Sequence, residues 1–401
     1  MFNSLKFKVI LFGFIFTFFS SFGQSYFLGL FNSSIREALS ITHGQFGSIF
    51  ASATLCSSLL LIWVGKKIDD VNIFKFAFFV TILLSFACFF FSRITSVFLL
   101  FIGIFLMRFS GQGMMSHTAS TTISRYFTKT RGRALSISWF GLSSAEFIMP
   151  VLMVYLLTII DWQNLWLIFS ITVLIILPTA SFLLIKNLNL DSREISDENI
   201  KEVEIKQWNR REVIKDYRFY IISSNMLAMP WIFTGFAVFQ SFVQTSKGWG
   251  PYVIAQSFMS YSIFSVLTLF LSGFLIDKFT SRKLLIYMNI PLLLSVIVLF
   301  LFDTPITAFL FLGLVGISNG FANILGSSTW AELYGVKYLG SIKALTTALM
   351  VFATAFGTAL FGYLIDIGFT VGDIAVVSGT YIFISLILLF LVRKKLNPVI
   401  I

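Results

Sequence analysis

Twelve stretches of this chain stay apolar for about twenty residues each, and that repetition limits the fold more than any other feature. They lie near 7–31, 44–64, 71–92, 96–120, 134–159, 165–185, 219–244, 254–276, 284–302, 306–329, 344–366 and 372–392. About twenty residues of helix, at ~1.5 Å rise, cover the ~30 Å hydrocarbon core of a bilayer. Lipid offers the backbone no hydrogen bonds, so a crossing segment must satisfy its own amides, as a helix does. Membrane barrels use strands of about ten residues, half the length seen here. Composition agrees: 57% of the residues are hydrophobic and 12% charged, against about 25% charged in a soluble domain. The expected fold is an all-α membrane protein with twelve transmembrane helices, numbered here 1 to 12 in chain order.

A net charge of +11 would raise the question of nucleic acid in a soluble protein. Here the charges sort by loop. With the N-terminus in the cytoplasm, the inner side holds Lys6, Lys8, Lys66, Lys67, Lys75, Arg125, Lys129, Arg131 and Arg133 from the first half. It also takes the basic residues of 186–218, then Lys278, Arg282, Lys283, Lys337, Lys343 and Arg393 to Lys395. The outer side holds only Arg36, Arg93 and Lys247, and Arg108 lies within helix 4. This is the positive-inside pattern with both termini cytoplasmic, and one missed span would destroy it. The basic excess is therefore a topology signal; no nucleic-acid partner is expected, and the lipid bilayer of the inner membrane is.

Lys6 and Lys8 precede a full-length apolar run that lacks a small-residue cleavage site, which reads as a retained first helix. Cys56 and Cys88 both lie in apolar runs and read as small apolar residues. No metal site and no cofactor is expected.

Residues 186–218 form the longest hydrophilic stretch and carry both signs of charge. The expected organisation is a six-helix bundle over 1–190, a cytoplasmic linker over 191–216 and a second bundle over 217–401. The halves repeat. Gly65-Lys-Lys-Ile-Asp69 after helix 2 and Gly273-Phe-Leu-Ile-Asp277 after helix 8 are 208 residues apart, as are Tyr126 and Tyr334, and Gly132 and Gly340. Parallel six-helix repeats occur in one class of secondary transporter.

Gly273, Asp277, Lys278, Arg282 and Lys283 resemble the loop 2–3 motif of the major facilitator superfamily. Gly65 and Asp69 form a degenerate first copy, with Asp70 at a basic position. The resemblance covers essentially the whole chain. It implies two six-helix bundles related by a pseudo-two-fold axis, in which Asp69 and Asp277 grip a neighbouring helix end and latch an outward-open state. Glycine at 65 and 273 is expected to permit close helix approach; a tight turn alone would also favour Gly and Asp. Arg108-Phe-Ser-Gly111-Gln-Gly113 resembles the family's helix 4 motif with shifted spacing. The run from Arg125 to Leu135 resembles loop 4–5 of a bacterial subgroup related to oxalate/formate and monocarboxylate carriers. Helix 5 departs from the Gly-Pro-rich antiporter motif, and helix 8 lacks the charged pair usual in monocarboxylate carriers.

Of 18 acidic residues only Glu146 falls deep within a span, and Arg108 is its one deep basic counterpart. Such residues cost about 2.5–3.5 kcal/mol each on insertion scales and usually serve function. Each lies about twelve residues into its helix, roughly 18 Å along, so both sit near the midplane and are placed to pair. The repeat sets Gly316 and Thr354 at the equivalent positions, so the scaffold does not itself require the charges. Arg108 is expected to bind an anionic substrate group, and Glu146 to hold it in the empty state or exchange a proton. The alternative is a permanent structural pair. By the resemblance, helices 1, 4, 7 and 10 line a central cavity. That adds Gln24, Tyr26, Gln112, Asn225, Trp231, Gln240, Asn319 and Asn323 as substrate-binding candidates, each of which also suits an interhelical contact. His117 reads as a hydrogen-bonded or interfacial residue. Glu332 is a candidate gate partner for Arg131 or Arg133.

No His-Glu-x-x-His, Gly-x-Ser-x-Gly or Walker loop occurs, so neither an enzyme nor a nucleotide-driven pump is expected. A duplicated bundle with a midplane charge pair favours alternating access over a channel. The expectation is a monomeric secondary active transporter of a small organic anion such as a carboxylate, with a proton as candidate coupling ion. The alternative is a carrier of a neutral sugar or nucleoside, or an exporter, with Arg108 and Glu146 a structural ion pair.

Overall fold

The computed structural model describes residues 5–127, 130–186 and 206–398. Twelve of its helices are long and apolar enough to cross a membrane. In the first half they are Leu5–Gly29, His43–Ile68, Ile73–Phe91, Val97–Tyr126, Gly132–Leu156 and Trp162–Ile185. In the second they are Tyr217–Val238, Val253–Ile276, Ser281–Leu301, Ile306–Tyr334, Leu339–Asp366 and Val371–Lys395. Each overlaps an apolar run predicted from the sequence, with ends differing by up to six residues. Helix 4 outlasts its run, and the polar residues that extend it satisfy their hydroxyls within it: Thr118 Oγ1 donates to Met114 O, and Thr122 Oγ1 to Thr118 O, both at 2.7 Å. It ends at Phe127, whose backbone turns extended (φ −103°, ψ 123°).

The chain divides into two compact units, residues 1–199 and 200–401, each with six spans. Within the first, helix 1 packs on helix 5, helix 2 on helix 4 and helix 3 on helix 6. Within the second, helix 7 packs on helix 11, helix 8 on helix 10 and helix 9 on helix 12. The same three pairings recur, so the repeat extends to tertiary structure.

Helices in lipid gain little from apolar burial and associate by close contact at small residues. A Cβ on Gly141 of helix 5 would lie 2.1 Å from Phe14 O of helix 1. One on Gly357 of helix 11 would lie 2.1 Å from Trp231 O of helix 7. On helix 10, a Cβ on Gly316 would lie 2.4 Å from Tyr261 O of helix 8, and one on Gly320 2.6 Å from Ser265 O. The loop glycines do not behave this way, contrary to expectation. A Cβ on Gly273 meets nothing within 4 Å, and one on Gly65 finds its nearest neighbour, His117 Nε2, at an ordinary 3.4 Å. Their chain positions follow the turn, while the crossings lie deeper in the bundles.

Helix 1 is discontinuous. It tightens over Ser21–Gly23, turns extended at Gln24 (φ −79°, ψ 150°) and resumes over Ser25–Gly29. A second break at Phe31 (φ −97°, ψ −1°) precedes the helix Asn32–Leu39. Helix 7 breaks at the repeat-equivalent residue, Phe239 (φ −103°, ψ 27°), before Gln240–Ser246. It stays helical at the place matching Gly23, so the inner break belongs to the first unit alone. Helix 4 widens to π geometry over Arg108–Met115, a stretch holding two glycines.

The last part of the expected linker is fixed on the second unit, while 187–205 lie outside the described residues. Asn209 and Glu212 form a capping box on the short helix Arg210–Lys215. The Asn209 amide, together with Lys206, holds the Glu212 carboxyl below its ordinary range. Trp208 N donates to Tyr334 O at 2.9 Å, and the two rings meet edge to face at 5.4 Å.

These contacts predict opposite outcomes for two glycines. Gly111→Val, whose Cβ falls 2.6 Å from Gly23 N, is expected to destabilise the detergent-solubilised protein by about 1–3 kcal/mol through overpacking. Gly273→Ala should stay within about 0.5 kcal/mol of the native protein. Unfolding curves of the two variants check this, and equal losses would contradict it.

Candidate functional site

The deepest basic residue, Arg108, sits at the inner break of helix 1. Side chains are excluded there. A Cβ on Gly23 would lie 2.3 Å from both Gln112 N and Met107 O, so the break seats directly on the π segment of helix 4. This contact brings Arg108 to the Gly23 carbonyl. Arg108 Nη1 donates to Gly23 O at 3.0 Å and to Ser25 Oγ at 3.1 Å. The guanidinium carbon stands 5.3 Å from the centroid of the Phe50 ring on helix 2, within cation–π range. Arg108 is only 3% exposed, and its Nε has no hydrogen-bond partner. Among the described residues no carboxylate lies within ion-pair distance of it.

Glu146 is 8% exposed. Helix 5 is drawn onto helix 1 at Gly141 and by Thr17 Oγ1, which donates to Ser138 O at 2.5 Å. Glu146 lies one turn further on along helix 5. Among the described residues it has no ion-pair partner. The expected Arg108–Glu146 pair is therefore not formed. Equal depth on two helices says nothing about which way each side chain faces. Here Arg108 turns to Gly23 and Ser25 of helix 1.

Gln24 and Gln112, both half-buried, sit at the break and on the π segment facing it. With Tyr26 they complete the group of predicted residues that the first unit brings together. Ser25, Gly23 and Phe50 were not among the candidates; the polar run Gly23-Gln24-Ser25 inside an apolar helix was the available signal. The second unit's candidates are dispersed. Asn225 Nδ2 donates to Ser385 Oγ at 3.3 Å, and Asn319 Nδ2 to Ser265 Oγ at 2.9 Å. Trp231 is buried among Phe356, Phe361 and Tyr381, Gln240 Nε2 donates to Ala237 O at 2.9 Å, and Asn323 is exposed.

The repeated loop motif clamps helix ends in two ways. In the first unit Arg125, at the end of helix 4, pairs with Asp69 and donates to Ile68 O at 3.0 Å. His117 Nε2 lies 3.0 Å from Gly65 O, a hydrogen-bonded histidine as expected. In the second unit the Asp277 side chain lies outside the described residues, and Lys278 is exposed. The clamp there has inverted charge. Glu332 of helix 10 accepts from Ser281 N at 2.8 Å and stands 3.6 Å from Arg282 Nε. Its partner within the second unit is Arg282, and the start of helix 9 adds backbone amides and a positive dipole end. Arg282 Nη1 also donates to Leu396 O at 3.0 Å and Asn397 Oδ1 at 2.8 Å. Nearby, Arg218 grips Asp216 at 2.8 Å and donates to Asn397 O at 2.8 Å, while the Tyr334 hydroxyl donates to Asp216 at 3.1 Å.

Twelve membrane-length helices in two six-span units define a multi-pass membrane protein. The chain belongs to the major facilitator superfamily, whose sequence model matches residues 13–358. Its fold is similar to that of a bacterial homolog of the human lysosomal transporter Spinster. The inward-facing, occupied form of that protein gives a TM-score of 0.73 at 14% identity, over 97% of this chain and 96% of that one. The inward-facing, unoccupied form gives 0.75 at 15%, over 98% of each. The nucleoside transporter NupG is also similar, with a TM-score of 0.70 at 14% identity over 98% of this chain and 99% of that one. At these identities the likeness concerns the fold. No curated protein matches the chain in sequence.

The Arg218–Asp216 pair behaves as structure. Arg218→Gln leaves a buried carboxylate without its counterion and is expected to cost about 3–5 kcal/mol. It should also release the C-terminal tail, so that limited trypsin cuts at Lys394 and Lys395 sooner than in the native protein. Unchanged stability and unchanged cleavage would contradict this role.

Proposed function

We propose that the protein is a secondary active transporter of a small organic anion, most simply a carboxylate, bound at Arg108. One observation carries the reading: a guanidinium buried within a membrane span has neutral acceptors and an aromatic face around it, but no acid among the described residues. Charges buried in lipid are normally paired, so the compensating charge is assigned to a ligand. A guanidinium fork suits a carboxylate in bidentate geometry, and Arg108 Nε is unengaged. The likeness of Arg125 to Leu135 to the loop of the oxalate/formate and monocarboxylate carriers agrees with this class. A neutral sugar or nucleoside would instead draw on Asn225 and Asn319, whose amides are engaged with neighbouring helices. On this reading it works as a monomer of the inner membrane, by alternating access between its two six-helix units.

Uptake of radiolabelled carboxylates into proteoliposomes, with and without an imposed pH gradient, tests the reading and its proton coupling. Native protein should give saturable uptake. Arg108→Lys, which keeps the charge and loses the fork, should lower uptake at least tenfold, since a charge-assisted hydrogen bond contributes about 1.5–3 kcal/mol. Transport of nucleosides or sugars, unaffected by Arg108→Gln, would contradict the proposal.

A further inference from the structure

At the membrane end opposite the Asp69–Arg125 clamp, two turns of the first unit enclose a polar basin that transport at Arg108 leaves without a task. One turn joins helices 3 and 4, the other helices 5 and 6. The basin measures about 540 Å3, within the ~300–1,000 Å3 usual for ligand sites, and its rim carries Ser92, Arg93, Thr95, Asp161, Gln163 and Asn164. Its base is fixed. Trp162 meets the Phe91 ring edge to face at 6.3 Å, and a Cβ on Gly103 of helix 4 would lie 2.6 Å from Cδ1 of the buried Ile94. Two opposite charges stand on this rim, and neither Arg93 nor Asp161 has an ion-pair partner among the described residues. Asp161 precedes helix 6, but its carboxylate accepts no hydrogen bond from the helix start. Both residues are exposed to water, which solvates their charges and removes the penalty that burial imposes.

The basin lies where these helices leave the apolar layer. The elements that carry it also bear apolar side chains that only lipid can cover: Phe86 and Phe89 on helix 3, Phe98 on helix 4 and Ile168 on helix 6 are 44–70% exposed. Arg93 links the two zones, its guanidinium carbon standing 5.6 Å from the centroid of the Phe89 ring. It is also one of three basic residues on the side expected to face outward, which the charge pattern otherwise empties. A water-soluble ligand would use the polar rim alone, whereas a phospholipid uses the rim and the apolar surface below it. We infer that the basin binds the headgroup of a phospholipid with a primary ammonium, of the ethanolamine type, its phosphate at Arg93 and its ammonium at Asp161. An anionic headgroup would set a second negative charge beside Asp161. A choline headgroup has no N–H to give that carboxylate, whereas a primary ammonium has three. The Thr95 hydroxyl and the Gln163 and Asn164 amides stand on the same rim and can bond to phosphate and glycerol oxygens. This site is separate from Arg108 and does not depend on what Arg108 carries.

Titration of the purified full-length protein in detergent with dioleoyl phosphatidylethanolamine, phosphatidylcholine and phosphatidylglycerol, followed by thermal stabilisation, tests the inference. Native protein should bind the ethanolamine lipid about threefold more tightly than either of the others, a modest margin because exposed charge pairs are weak. That margin should shrink at 1 M salt, where the screening length falls to about 3 Å. Asp161→Asn keeps a residue suited to a helix start and should bind the ethanolamine and choline lipids equally. Arg93→Gln should weaken both. Without lipid, the two exposed-site variants should unfold at the native temperature. Equal binding of the three lipids by native protein, or an ethanolamine preference that survives in both variants, overturns the inference. Tighter binding of the glycerol lipid overturns it by giving the basin to an anionic headgroup. Glycerophosphoethanolamine, the same headgroup without chains, separates a lipid from a soluble ligand. It should give no stabilisation at concentrations where the lipid saturates, and stabilisation equal to the lipid's would assign the basin to a soluble phosphate ester and overturn the lipid assignment.

Discussion

The hydrogen bond from Arg108 to the Gly23 carbonyl is the contact on which the first unit's site depends. A helix that breaks inside lipid strands backbone groups that no water can reach, each costing several kcal/mol if left alone. Here the broken turn of helix 1 presents its carbonyl to a buried guanidinium, and each makes the other tolerable. The contact is possible because Gly23 and Gly111 let two backbones touch where any Cβ would force them apart. The π geometry of helix 4 accompanies it, since Arg108 begins that segment. Deformed helix, missing side chains and buried charge are thus parts of one arrangement, of the kind often found at binding sites in membrane carriers.

The two units show how a duplicated scaffold divides its tasks. Both keep the same helix pairings, and both break their first helix at Phe31 and its equivalent Phe239. The inner break at Gln24 and the deep charges are confined to the first unit. The second instead concentrates its polar contacts at the end carrying the chain terminus. There Asp216, Arg218, Arg282, Glu332 and Tyr334 tie together helices 7, 9 and 10 and residues 396–397. Every charge in that cluster has a partner, as structural charges should. Arg108 and Glu146 do not, and that difference separates the two sets.

Much of the fold was legible in the sequence because lipid enforces it. Apolar length gave the twelve helices, and two charges deep in apolar runs gave the centre of the candidate site. What the sequence hid was azimuth. Helix depth is linear in residue number, but facing depends on packing, so the supposed Arg108–Glu146 pair dissolved once Arg108 was seen to engage Gly23 and Ser25 of helix 1. The glycines misled in a related way. Gly65 and Gly273 stand out as a motif, yet Gly23 and Gly141, which no motif marks, make close crossings. The Glu332 contact was hidden for another reason: a short helix start, which only the fold brings near, supplied its partners.

The account's central claim is that Arg108 and Glu146 are independent charges in the unliganded protein. A double-mutant cycle with Arg108→Gln, Glu146→Gln and the combined variant, read as unfolding free energies in detergent without ligand, tests it most directly. Independence predicts additive effects, with a coupling energy below about 0.5 kcal/mol. A coupling of about 3 kcal/mol or more, as when a buried pair is broken, would mean that the two residues form a structural ion pair and would contradict the account.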